Sequence, residues 1–156
     1  ERLSVAQQDE SSAEARIEYT LGAAPGVADG LRHPQELAAL NCLRYGEGET
    51  RAAWRFEDVA GETTSVRVQG SLAVNNSDLL RQAVLAGVGV ALLPDFVVED
   101  DLRAGQLVRL LPGWQAKPPF GEAVHAVWLP DRHLPLKARA FIDLLVERLG
   151  RADRVD

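Results

Sequence analysis

The chain has 156 residues, 46% of them hydrophobic and 26% charged, with a net charge of −6. This is ordinary globular composition, enough for one domain or one domain plus a fragment. It shows no apolar run near the ~20 residues of a membrane helix, no basic stripe for nucleic acid, and a single cysteine, which excludes an internal disulfide or a multi-cysteine zinc site.

No signal peptide is visible, and there is no methionine, not even an initiator, which reads as a piece of a longer gene product. Glu1–Arg16 is polar and acidic and reads as an edge strand or loose tail, with a short strand at Leu3–Val5. In Ile17–Ala24, Ile17, Tyr19 and Leu21 alternate with Glu18, Thr20 and Gly22, the pattern of a half-buried strand. Pro25-Gly26 is a turn signal. His33-Pro34-Gln35-Glu36-Leu37 opens a helix with proline at its tolerated first position. Leu37 and Leu40 face inward, and His33 reads as a cap or surface residue. Cys42, between Leu40 and Leu43, reads as a buried structural thiol. Leu43–Tyr45 ends a strand, and Gly46–Thr50 is a polar loop. Trp54 and Phe56 are packing residues on a hairpin that turns near Ala60-Gly61. It returns along Thr64, Val66 and Val68, with Ser65, Arg67 and Gln69 on the other face.

The stretch Ser71–Phe96 organises the rest. Leu79, Leu80, Ala83 and Val84 share one face at helical spacing. Asn75, Asn76 and Ser77 are candidate N-caps, and Gly87 suits a left-handed helix stop. Val88–Leu93 is a near-continuous apolar strand, ended by Pro94. In α/β sheets, ligands sit at strand ends and helix starts, where free amides and the dipole favour a carboxylate or phosphate. A small effector is expected to touch Asn75, Asn76, Ser77 or the Gly87–Val90 backbone. Plain capping is the competing reading, and Asp78, which already complements the dipole, would repel an anion placed beside it.

A helix over Asp95–Ala104 carries early acids and a late Arg103, with Gly105 as its stop. Glu99-Asp100-Asp101 reads as a solvated face and not a metal site, because consecutive helical residues diverge. Gln106–Leu111 is a strand closed by Pro112-Gly113. Trp114 follows, and Lys117-Pro118-Pro119 is a linker-like crossover. Glu122–Leu129 is a strand and Pro130–Pro135 a loop. In the last helix, Leu136–Gly150, Ala138, Phe141, Ile142, Leu145 and Leu149 form the apolar stripe. Arg151–Asp156 reads as a tail.

No nucleophile elbow, P-loop, H-E-x-x-H or paired C-x-x-C occurs. Asp131 and His133, with His125, lack the oriented geometry of an acid–base set. The Gly87-Val88-Gly89 run follows a helix and is too short for a dinucleotide fingerprint. No catalytic residue, metal or cofactor is expected.

The segment SLAVNNSDLLRQAVLAGVGVALLPDFVVEDDLRAGQLVRLLPGW resembles the second half of the effector-binding domain of LysR-type transcriptional regulators. Upstream, LGAAPGVADGLRHPQELAALNCLRY is similar to that family's strand, A-P turn, H-P-x-E-L helix and C-L strand. RHLPLKARAFIDLLVERL is similar to its closing helix. The resemblance spans Ile17 to Leu149. It implies an α/β, periplasmic-binding-protein-like (type 2) wound sheet, one complete subdomain plus a partial second one. Residues 1–16 would be a remnant of the first subdomain or a loose tail. Residues 17–129 would be the second effector-binding subdomain, with crossover strands near Ile17–Ala24 and Val124–Leu129. Residues 130–156 would hold a C-terminal helix returning to the first subdomain. About sixty to seventy residues of the first subdomain would precede this chain in the family's usual domain length, so half the ligand cleft would lie outside it.

The implied function is cytoplasmic sensing of a small metabolite, an organic acid or aromatic, passed through a homo-oligomer to a DNA-binding head absent here. The cleft positions carried over are Asn75, Asn76, Ser77, Gly87, Val88 and Val90, with Ala24 and Pro25 beside the crossover. The alternative is a fragment of a periplasmic substrate-binding protein of a transporter, and a third reading is an oligomerisation module. Loss of most of one lobe would expose Trp128, Phe141 and Leu145 and favour association.

Overall fold

The computed structural model describes residues 5–9, 12–46, 51–117, 123–127 and 135–150. In chain order its elements are β1 (Val5–Asp9), β2 (Ser12–Arg16), β3 (Tyr19–Ala23), a 3-10 helix (Pro34–Ala39), β4 (Cys42–Tyr45), β5 (Arg51–Asp58), β6 (Thr63–Gln69), β7 (Ala73–Val74), α1 (Ser77–Leu85), β8 (Val90–Pro94), α2 (Asp95–Arg103), β9 (Val108–Arg109), β10 (Trp114–Lys117), β11 (Ala123–Val127) and α3 (Leu136–Gly150). The expectations for Leu3, Glu47–Thr50, Pro118-Pro119, Trp128, Leu129, Asp131, His133 and Arg151–Asp156 lie outside the described residues.

The chain divides into two compact units, Glu1–Glu18 with Glu122–Asp156, and Tyr19–Gly121. In the first, the antiparallel sheet β1-β2-β11 carries α3 against β1 and β2. Its acidic opening segment forms two paired strands, more structure than a loose tail.

The larger unit holds a five-stranded sheet, β7-β4-β8-β3-β9, and a three-stranded antiparallel sheet, β10-β5-β6. β4 lies between β7 and β8, parallel to both, and β3 runs antiparallel to β8. Strand pleating sends alternate residues to opposite faces. Cys42 joins Leu21, Trp54, Phe56, Val66, Val68 and Leu92 in one core layer. Leu43 joins Leu80, Val84, Leu93, Val98 and Leu107 in the other. The hairpin therefore covers one face, and α1 with α2 the other. Every residue of β8 is buried, which is why its sequence is an unbroken apolar run.

Trp54 and Phe56 pack inward, and Ser65, Arg67 and Gln69 are exposed, as their alternation requires. Other expectations need correction. β3 is covered on both faces: Thr20 is buried, its hydroxyl donating to Asp95 Oδ1 at 2.6 Å from the start of α2. The helix at Pro34 is a 3-10 helix, capped by His33, whose Nδ1 accepts from the Gln35 amide, while Glu36 accepts from the Arg32 and His33 amides. Leu79 is half exposed, leaving Leu80 and Val84 as the buried stripe of α1. Val88 is exposed too, and the strand begins at Val90. The Gln106–Leu111 strand shrinks to β9, because Leu111 turns to a φ of 51° and breaks the extended run. Trp114–Lys117 is an unexpected strand on β5.

Three glycines on either side of α1 have separate structural tasks. Gly87 has a φ of +74°, the left-handed helix stop. A Cβ on Gly89 would stand 2.2 Å from the Asn41 carbonyl oxygen, and one on Gly70 would stand 2.0 Å from that of Cys42.

Candidate functional site

The two ends of α1 define two opposite edges of the larger unit. β7, β4 and β8 run the same way, so their C-terminal ends share one edge with the starts of α1 and α2. Because β3 is antiparallel to β8, its first residue, Tyr19, lies opposite Pro94 at that same edge. Here stand Asn75, Asn76 and Ser77. Asn75 and Asn76 are exposed and Ser77 is half-buried. Asn76 is the N-cap, its Oδ1 accepting from the Leu79 amide at 2.9 Å. Asp78 turns along the helix to Gln82 Nε2 at 2.9 Å and Arg81 Nη1 at 3.3 Å. Asp78 is 65% exposed and shares the Arg81 cation with Asp101, so a negative charge remains beside the cap.

Gly87, Val88 and Val90 lie at the far end of α1, nine residues and about 13 Å of helical rise away. Ala24 and Pro25, just past β3, lie at that far edge as well, and Val27 approaches the Gly87 position. The structure thus splits the sequence-derived positions into two groups. Asn75, Asn76 and Ser77 are at one edge, with Ala24, Pro25, Gly87, Val88 and Val90 at the other. In the second group the polar contacts are internal. The Asn41 side chain donates to Ser71 Oγ and the Val88 carbonyl and accepts from the Ser71 amide, and its backbone carbonyl accepts from the Val90 amide. These bonds tie β4 to the β8 entrance, which is a fold-building task.

The first edge carries features that motif reasoning missed. Tyr45, Leu79 and Phe96, at the end of β4 and in the first turns of α1 and α2, are 42%, 50% and 59% exposed. Burial, then the neighbouring Tyr45, raises the Tyr19 hydroxyl above its ordinary pKa. Arg44, the penultimate residue of β4, is buried. Its sequence signal is its parity with Cys42, two residues earlier on the same strand face.

Two further groups are structural. Asp101 is buried and held side-on by Arg81, Nη2 donating to Oδ1 at 2.6 Å and Nε donating to Oδ2. This corrects the solvated-face reading of the acid run for Asp101; Glu99 and Asp100 do stay exposed, paired with Arg103 at 2.7 Å each. The Arg81 bonds hold the Asp101 carboxyl below the usual carboxylate range and raise the Arg81 guanidinium. Burial pushes the Cys42 thiol up to about 12, and the group donates to the Leu37 carbonyl at 3.4 Å. Among the described residues no cluster of three or more His, Cys, Asp or Glu could hold a metal, and no helix is long and apolar enough to cross a membrane.

A sheet of mixed direction, with a capped helix between parallel strands and a second sheet over its other face, is the architecture of a type 2 periplasmic-binding-protein-like sensor lobe. The chain belongs to the LysR substrate binding domain family, whose model matches residues 11–150. Among its relatives is the HTH-type transcriptional regulator PtxR of Pseudomonas aeruginosa, 38% identical over 132 residues, which are 83% of this chain and 41% of PtxR. The chain therefore spans about two fifths of that relative's length. Among solved structures, the regulatory domain of CrgA, a LysR-type transcriptional regulator from Neisseria meningitidis, is similar with a TM-score of 0.71 and 25% identity, over 94% of this chain and 75% of that one. The regulatory domain of AphB in Vibrio vulnificus is similar with a TM-score of 0.67 and 26% identity, over 93% of this chain and 73% of that one. These matches support the regulator expectation over the transport one.

Proposed function

We propose that this chain is the effector-sensing part of a LysR-type transcriptional regulator, chiefly its second subdomain, working in the cytoplasm as a homo-oligomer and reaching DNA through a separate head. Its part is binding, not catalysis. A small metabolite docks at the edge formed by Asn75, Asn76 and Ser77. The observation that carries this reading is the meeting of an exposed, capped helix start with half-exposed apolar side chains, Tyr45, Leu79 and Phe96, at one end of parallel strands. Polar anchors beside apolar surface suit a small organic acid or aromatic.

The effector acts by population shift: it must bind one arrangement of the sensor better than the other, and the difference is the coupling free energy available to the DNA-binding head. Gly87, Val88, Val90, Ala24 and Pro25 stand at the opposite edge of the unit, outside this docking surface. The test is calorimetric titration of this chain and of the whole gene product with a panel of aromatic and aliphatic carboxylic acids. The whole product is expected to bind at least one acid saturably, and this chain, holding half the cleft, at least tenfold more weakly. Equal, tight binding by this chain would overturn the half-cleft reading; no binding by the whole product would overturn the effector class.

A further inference from the structure

Two arginines of the larger unit are held differently, and the contrast points to a ligand. Arg81 grips Asp101 side-on through Nε and Nη2. Arg44 offers the same two nitrogens. Both are closed to solvent, and among the described residues neither meets an acceptor. The residue keeps only 8% of its exposure.

A guanidinium cannot escape burial by losing its proton. Buried polar atoms in folded proteins are nearly always paired, and a buried charge left without its partner is strongly destabilising. Filling space needs no charge here, since Cys42 on the same face of β4 is apolar and Leu92 of β8 follows in register. Arg44 lies opposite Ala73 of β7, two residues before Asn75. Its backbone therefore belongs to the edge assigned above to the effector, although it shares the hairpin-covered face of the sheet with Cys42.

We infer that Arg44 is the counter-charge for the carboxylate of a small organic acid, gripped side-on through Nε and Nη2 at the C-terminal end of β4. A planar pair of oxygens matches two parallel N–H donors. One negative charge balances one buried positive charge, whereas a doubly charged sulfate or phosphate would leave an excess in a chain already at −6. The inference rests on the reading of that edge as the docking end, and the test separates the two.

The measurement is the Nε–H resonance of Arg44 in this chain, assigned with Arg44→Lys, during titration with benzoate, acetate, benzamide, sulfate and phosphate. Benzoate or acetate is expected to move it saturably toward the position of the carboxylate-bound Arg81 Nε–H, and neutral benzamide to leave it in place. Calorimetry is expected to show at least a tenfold loss of benzoate affinity in Arg44→Lys, which keeps charge but not the fork. An Nε–H unmoved by both carboxylates, or moved as far by benzamide, overturns the inference. Tighter binding of sulfate or phosphate overturns the carboxylate assignment. A shift produced by Glu47→Gln or Glu49→Gln without ligand shows that the counter-charge is the chain's own, and also overturns it. Response at Arg44 with still amides at Asn75–Leu79 upholds the ion pair and sinks the edge reading; the reverse pattern sinks the ion pair alone.

Discussion

Arg81 and Asp101 are unequal partners, and their removal should not cost the same. Asp101 is buried, while the Arg81 side chain keeps 28% of its exposure. Arg81→Ala would strand a buried carboxylate, a loss of about 3 kcal/mol. Asp101→Ala would release a guanidinium that can turn to water, and should cost clearly less in urea denaturation. The pH dependence has a definite sign. The folded Asp101 carboxyl is lowered, so its stabilisation is complete above the ordinary carboxylate value of about 4 and is lost as pH falls below that through the folded value. Asp101→Asn should flatten that acid limb. Cys42 works the other way: with its thiol raised to about 12, its contribution is intact below the ordinary thiol range and is lost as pH climbs toward about 12. Ellman's reagent at pH 8 should therefore react with the unfolded chain and leave the native one untouched.

Among the elements, α1 and the strand after it are where local signals were strongest. Asn76→Ala should remove the cap and cost about 1 kcal/mol. Gly87→Ala should cost about 1 kcal/mol for its left-handed backbone, and Gly89→Ala about 3 kcal/mol, because its Cβ meets the Asn41 carbonyl oxygen. Thermal melts of the three variants check the ranking. The cap, the stop, the buried strand and the hairpin were legible because each is written in neighbouring residues: Asn76 before Leu79, Gly87 after Leu85, alternating Trp54 and Phe56. What escaped depends on partners distant in the chain. Thr20 is tolerable inside only because Asp95 arrives 75 residues later. Asp101 is inward only because Arg81 stands across from it. The candidate positions came from local periodicity at both ends of α1; that Ala24 and Pro25 share the Gly87 edge, and Tyr19 the Asn76 edge, depends on the antiparallel pairing of β3 with β8.

At the scale of the whole molecule, α3 leaves Leu136, Phe141 and Leu144 exposed, at 87%, 59% and 45%. Apolar side chains repeated along one helix favour association, so light scattering should show concentration-dependent growth in mass, reduced in Phe141→Glu. A clean monomer at every concentration would contradict this. The proposed docking of the effector at the Asn75–Ser77 edge of the larger unit can be followed residue by residue. Its most direct measurement is amide hydrogen exchange of the whole gene product with and without an acid shown by calorimetry to bind. Docking there slows exchange at Asn75–Leu79 and leaves Gly87–Val90 unchanged; protection of Gly87–Val90 with Asn75–Leu79 unchanged would overturn it.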